Sequence, residues 1–199
     1  MTTAIAPPRR GRQRSEAADQ AILAAALDVL SCDGYGGLTM AAVITRAAVS
    51  SATLYRRWPT KQELVAAALA SLHPEVVDAD TGSLEGDITA LVDCIAGSLA
   101  VSSEDLAEDV AVELRRNPDF RDAVNAKFLL PRIELLGRML GRARARGEIG
   151  AGLATDVAYS LVSGPLYHRV TVLGKPMTPT FRRAVVTGAL AALRATGPT

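Results

Sequence analysis

Two histidines and two scattered cysteines leave this 199-residue chain little for acid–base, nucleophilic or metal chemistry. Cys32 and Cys94 are too far apart for a zinc spacing, and with no export signal to place the chain outside the cell they read as reduced thiols of a cytoplasmic protein. No GxSxG, HExxH or Walker string occurs. The acids, though plentiful, fall at helix starts and on polar faces. The expectation is therefore a protein that is not an enzyme and uses no cofactor and no metal. Aromatic residues make up only 4 % of the chain, so a core must be assembled from Ala, Leu and Val, which suits closely meeting helices. No apolar run approaches the ~18–20 residues of a membrane span. The opening MTTAIAPPRRGRQR also lacks the apolar stretch of an export signal.

What the chain does have is helical spacing. Its hydrophobic content is 49 %, enough for a real core and two small modules. No segment alternates with a period of two between hairpin turns, so the fold expected is all-α, with about nine helices. Charge is divided unevenly. Residues 1–62 hold eight basic against four acidic residues, a net +4, while the remainder holds fourteen against seventeen, a net −3. One end is thus marked as the side that meets a polyanion.

Residues 1–14, with Pro7-Pro8 and four arginines, are expected to form a disordered basic arm, either a solvated tail or an arm that adds phosphate or minor-groove contacts. A first helix is predicted from Ser15 to Cys32, stopped by Gly34, and the Gly34–Gly37 cluster reads as a turn. Thr60 caps a fourth helix, from Lys61 to about Leu72, ended by His73-Pro74. The loop from Pro74 to Ser83 separates an amino-terminal module (15–72) from a carboxy-terminal one (73–199). Beyond it come helices from Leu84 to about Val101, from Glu104 to Arg116 with Ser102 or Ser103 as cap, and from Asn117-Pro118 to Arg146 with a bend at Pro131. The last two are predicted from Thr155 to about Leu173 and from Thr178-Pro179 to about Arg194.

The densest signal lies between Leu38 and Leu64, LTMAAVITRAAVSSATLYRRWPTKQEL. Thr39 is a good N-cap, and Met40, Val43, Ile44 and Ala47 recur at helical spacing. Ala48-Val49 makes a compact corner whose turn either does without a strongly positive φ or tolerates a small strain. Ser50 or Ser51 caps a second helix. Val43, Ala47, Val49, Leu54 and Trp58 would lock the two together, leaving Ser51, Thr53, Tyr55 and Arg56 outward. A short, hydroxyl-bearing, cationic helix face suits the major groove of duplex DNA.

This stretch resembles the DNA-binding half of the tetracycline-repressor (TetR) family. The match runs through Thr39, Ala47, Val49, Ser50, Thr53, Leu54, Tyr55, Arg56, Lys61 and Leu64, with Ala48 and Ala52 in place of the usual glycines and Trp58 in place of phenylalanine. The strings RGEIG (146–150) and SGPLYHRV (163–170) resemble one subgroup of the family's carboxy-terminal domains. The resemblance implies a homodimer paired through the last two helices, a double-stranded, palindromic or near-palindromic DNA operator, and an unidentified small-molecule effector. It implies a repressor, the alternatives being an activator or a regulator governed by a protein partner.

By residue type, Thr39, Tyr55 and Lys61 are expected to hold phosphates. Ser51, Thr53 and Arg56 would read bases, with Ala52 placed for a thymine methyl and Ser50 at the helix start. Arg46 and Arg57 are either phosphate contacts or solvated charges. Phe120, Phe128, Met139, Tyr159 and Tyr167 are candidate pocket liners, and each has a plain core reading beside it. The eleven acids of 73–116 form either a cation-seeking pocket or a solvated acidic surface, and His168 reads as an interface residue.

Overall fold

The computed structural model describes residues 10–72, 77–101, 104–150 and 152–195, and among them there is no strand. Nine helices follow one another among the described residues: α1 (Arg10–Gly37), α2 (Met40–Ala47), α3 (Ser51–Tyr55), α4 (Lys61–Ser71), α5 (Leu84–Val101), α6 (Glu104–Arg116), α7 (118–145), α8 (155–172) and α9 (Pro179–Ala195). α7 and α8 each contain one π turn, Asn125–Leu129 and His168–Val172. The prolines of the expected arm, the His73-Pro74 helix end and the Ser102 or Ser103 cap lie outside the described residues. No described helix is long and apolar enough to cross a membrane.

Two boundaries depart from the sequence pattern. α1 starts at Arg10, so Arg10 to Arg14 belong to a helix and not to the expected arm. α1 also outlasts its expected stop. Gly34 does break the helix, at φ 65 and ψ 178, yet one more turn follows to Gly37. The left-handed φ favours glycine, and a Cβ there would sit 3.2 Å from Asp109 Oδ2 of α6.

α7 opens as its sequence predicts. Asn117 accepts from Phe120 N at 3.1 Å, and Pro118 occupies the first turn, where its missing N–H costs nothing. The bend expected at Pro131 takes the form of the π turn just before it. Widening the helix by one residue is a known way to relieve the clash between a proline ring and the preceding turn. α8 carries Pro165 in its interior and its π turn directly afterwards.

Two apolar cores result. The first joins Ile22, Val29 and Leu30 of α1 to Val43 of α2, Leu54 of α3 and Leu64 of α4, with Trp58 closing one side. The second joins Ile88 and Leu91 of α5, Leu136 and Leu140 of α7, Val162 and Leu166 of α8, and Val186 and Leu190 of α9. The division does not follow the chain. Phe120, at the start of α7, is fully buried in the first core, and Val110, Leu114 and Val124 pack against it. Phe120 is therefore no pocket liner of the carboxy-terminal bundle; it is core of the amino-terminal module. Met139 is fully buried in the second core.

Several acids of 73–116 are consumed internally. Buried Asp87 accepts from Thr81 N at 2.9 Å and Thr81 Oγ1 at 2.8 Å, with Arg142 and Arg146 behind it at 3.6 and 3.8 Å. Asp78 is held by Arg138 and Arg142, which keep its carboxyl below the usual range, and Asp93 pairs with Arg182. Glu148, from the RGEIG string, caps α5 by accepting from Leu84 N at 2.9 Å. These residues are clasps between helix ends.

Phe120→Ala is expected to cost about 3–5 kcal/mol, the usual range for emptying a filled aromatic site. The check is urea unfolding followed through Trp58 in the first core. A loss below about 1 kcal/mol would mean that α7 does not complete that core.

Candidate nucleic-acid interface

α2, the corner at Ala48-Val49 and α3 form a helix-turn-helix whose local geometry follows from caps. Thr39 Oγ1 accepts from Ala42 N at 3.2 Å, Ser50 Oγ from Thr53 N at 3.2 Å, and Thr60 Oγ1 from Glu63 N at 3.2 Å, so α2, α3 and α4 each start on a hydroxyl. At the corner Ala48 has φ 52 and ψ 42, and it is the one non-glycine residue with positive φ among the described residues. Its N–H reaches Thr45 O and Val49 N–H reaches Ile44 O, the paired bonds that close a helix through a left-handed residue. Of the two possibilities left open by the sequence, the turn is the strained one.

Leu54 is fully buried beneath α3 and Trp58 beneath the turn that follows it. Their burial fixes the opposite face outward. Ser51, Ala52, Tyr55 and Arg56 are exposed, and Thr53 is half-buried with its hydroxyl 2.9 Å from Ser50 Oγ. Thr39 is exposed at the start of α2. Its oxygen serves the backbone as acceptor, which leaves the hydroxyl proton available to a phosphate.

The remaining cations are held by α1 and its end. Arg57 Nη1 donates to Asp19, with both side chains about three-quarters buried, so Arg57 is neither a solvated charge nor an outward phosphate donor here. Lys61 likewise departs from its expected role. Its ammonium donates to Tyr35 O and lies 4.3 Å from the Tyr35 ring centroid, and burial lowers its pKa despite Glu113 nearby. Tyr35 is itself pushed up to about 12, first by burial and then by Glu113 and Asp119. Arg46 is half-exposed and 3.4 Å from Asp28, a loose pair that a phosphate could replace. Asp19, Asp28 and Tyr35 are the residues a reading of the local pattern misses. They stand 38, 18 and 26 positions from their partners, and nothing short-range links them.

Of the candidate pocket liners, three bear on one arginine. Phe128 lies under the Arg132 guanidinium, and that charge lowers the Tyr159 and Tyr167 hydroxyls against the rise that burial gives them; Arg132 is a residue the sequence pattern did not single out. The available signal was an arginine on an apolar stripe, between Phe128 and Leu135-Leu136. His168 is exposed on α8.

Comparison with known proteins adds two family matches. Residues 22–68 match the family described as bacterial regulatory proteins, tetR family, and residues 78–189 match the tetracyclin repressor-like, C-terminal domain. An uncharacterized HTH-type transcriptional regulator of Mycobacterium tuberculosis is 34 % identical over 166 residues, 83 % of this chain and 82 % of that protein. A protein of Mycobacteroides abscessus named DNA-binding transcriptional repressor TetR is 33 % identical over 172 residues, 84 % of this chain and 89 % of that one. Among solved structures, the TetR family transcription regulator SCO0332 superposes with a TM-score of 0.67 at 23 % identity, covering 88 % of this chain and 97 % of its own. At those identities the structural likeness establishes the fold.

Ala48→Gly is expected to raise stability by up to about 1 kcal/mol, since relief of a left-handed alanine (~1–2 kcal/mol) exceeds the added freedom of the unfolded chain (~0.4–1 kcal/mol). Thermal unfolding measures it, and a lowered melting temperature would contradict the strain. A second expectation concerns charge. If Lys61 stays on Tyr35, Lys61→Met leaves the slope of log affinity against log salt for duplex DNA unchanged, whereas a phosphate contact would flatten it by about one ion.

Proposed function

Because this chain is a helix-turn-helix transcriptional regulator of the TetR family, we propose that it acts in the cytoplasm as a homodimeric repressor, bound to a palindromic or near-palindromic operator and released when a small molecule enters the carboxy-terminal bundle. The observation that carries the reading is the outward face of α3. Ser51, Ala52, Tyr55 and Arg56 stand in solvent on a helix pinned from behind by Leu54 and Trp58. Such a face is small enough to enter a major groove and offers a guanidinium fork for guanine, hydroxyls for either base edge and a methyl for thymine. Thr39 and Tyr55 take phosphates, and Arg46 joins them by exchanging Asp28 for DNA.

Five residues of helix touch only a few base pairs, so a second copy is needed to add contacts at a spacing of about 34–36 Å or a multiple. The surface that supports pairing is the outer face of α8 and α9. Val157 and Leu161 are exposed there beside Gly164, and α9 presents Ala184, Gly188 and Ala191. A Cβ placed on Gly164 or Gly188 would meet nothing within 4 Å. Neither glycine is needed by its own chain, and each weakens its helix by roughly 1 kcal/mol. Close approach of another helix across a two-fold axis accounts for both. Repression is the sign carried by the Mycobacteroides abscessus relative's name.

Release follows from how the modules are joined. α4 belongs to the first core but also packs on α7, whose far end is built into the second core. A ligand that shifts α7 therefore moves α4 and changes the separation of the two α3 helices. A coupling of about 1–3 kcal/mol is sufficient.

Selection of genomic fragments bound by the purified protein supplies the operator and, through its neighbouring genes, a set of effector candidates to titrate. On that operator Arg56→Ala is expected to cost about 1–3 kcal/mol and to relax choice at one base pair. Leu161→Glu is expected to give monomers by light scattering and to weaken operator binding. Equal losses for Arg56→Ala on operator and random DNA would remove Arg56 from base reading, and a monomeric wild-type protein that ignores duplex DNA would sink the whole reading.

A further inference from the structure

The carboxy-terminal bundle buries two ionised side chains, Asp87 and Arg132, and treats them differently. Asp87 is met by Thr81 and two arginines. Arg132 is only 5 % exposed, and no carboxylate is paired with it among the described residues. Its guanidinium folds back one turn along α7. Nη1 donates to Phe128 O at 2.8 Å, and Cζ lies 3.6 Å from the Phe128 ring centroid. A fork with five N–H donors thus has one neutral carbonyl and a ring face to answer it. Across from it on α8, Tyr159 is 3 % exposed, and its hydroxyl is buried without a hydrogen-bond partner. Burial pushes the Tyr159 and Tyr167 hydroxyls up, and the Arg132 guanidinium partly offsets this in both.

Arg132 is thus a buried positive charge that no carboxylate pairs among the described residues, and Tyr159 a buried hydroxyl without an acceptor. Burying an unpaired cation and an unsatisfied hydroxyl is unfavourable on both counts, and a protein that keeps them gains from them only when something else supplies acceptors. A single planar fork matches the two oxygens of a carboxylate, and one positive charge balances one negative charge, which disfavours a dianion. The second core, to which α7 and α8 both contribute, is apolar, with Leu135, Met139 and Leu166 among its members. We infer that the effector of the bundle is an organic monoacid with an apolar body, its carboxylate held by the Arg132 fork and the Tyr159 hydroxyl. This rests on the ligand-released reading above and names the class of the ligand. The position also suits control, because α7 carries Arg132 on one side of its π turn and Phe120, in the amino-terminal core, on the other.

The test is titration calorimetry on the full-length protein with acetate, butyrate, octanoate and benzoate, against butanol, octanol and benzyl alcohol as neutral counterparts. The expected result is that the longer or aromatic acids bind and the matched alcohols do not. Arg132→Met weakens the acids at least about tenfold, Arg132→Lys less, and Tyr159→Phe a few fold. Removing the unpaired charge leaves the melting temperature of Arg132→Met equal or higher, which separates a binding residue from a structural one. Equal binding of acids and alcohols, binding that survives in Arg132→Met, no binding by any acid of the panel, or a melting temperature lowered in both Arg132→Met and Tyr159→Phe would each overturn the inference. Operator binding measured alongside tells the two readings apart. Acids that bind through Arg132 yet leave operator affinity unchanged support the site while defeating release. Release by a neutral compound and by no acid defeats the site while leaving release intact.

Discussion

Phe120 begins a helix whose middle and end build the carboxy-terminal core, yet its own side chain is fully buried among residues of α1 and α4. The amino-terminal module is small and needs that ring to close. Its helices supply few large side chains of their own, since aromatic residues are scarce throughout the chain. A gap at this position would be costly because interiors are packed without room to relax. Sharing one helix between two cores means that neither module settles independently of the other. The corner between α6 and α7 reinforces the junction, with Asn117 bonded to Glu113 and the Tyr35 ring tilted against Phe120 at 4.7 Å between centroids.

The same junction explains why the positive end of the chain is less exposed than its composition implies. Of the cations in the helix-turn-helix segment, Arg57 is held by Asp19 and Lys61 by Tyr35. Both contacts fasten the helix-turn-helix to α1. Partly buried pairs of this sort position a scaffold more than they stabilise it. The surface we propose for DNA is left to hydroxyls, one loosely paired arginine and one exposed arginine, a combination suited to reading base edges more than to coating a polyanion. In the second module the cations serve inwardly too, with Arg142 and Arg146 against Asp87, and only Arg132 is buried without an acid among the described residues.

Much of this was available from local pattern. The α2–turn–α3 unit was predictable because its determinants lie within a few residues of one another: Thr39 and Ser50 as caps, Ala48 at the corner, Leu54 and Trp58 as anchors. The limits of α5, α6 and α9 followed from helical spacing. The extra turn of α1 beyond Gly34 did not, because a glycine that breaks a helix and one that ends it look alike until the next helix packs against it. The π turns were equally hidden, since proline announces a disturbance but not how the backbone accommodates it.

By itself, the order of residues determined most helix limits, the capped corner and the chemical character of the outward face of α3, all of which depend on neighbours three or four positions apart. Only the tertiary structure decided that Phe120 serves the other module, that Lys61 and Arg57 turn inward, and that Arg132 is buried without an acid among the described residues. Those outcomes rest on contacts across tens of residues, where a charge or a ring goes wherever packing offers it a partner, and no local spacing specifies which partner that is.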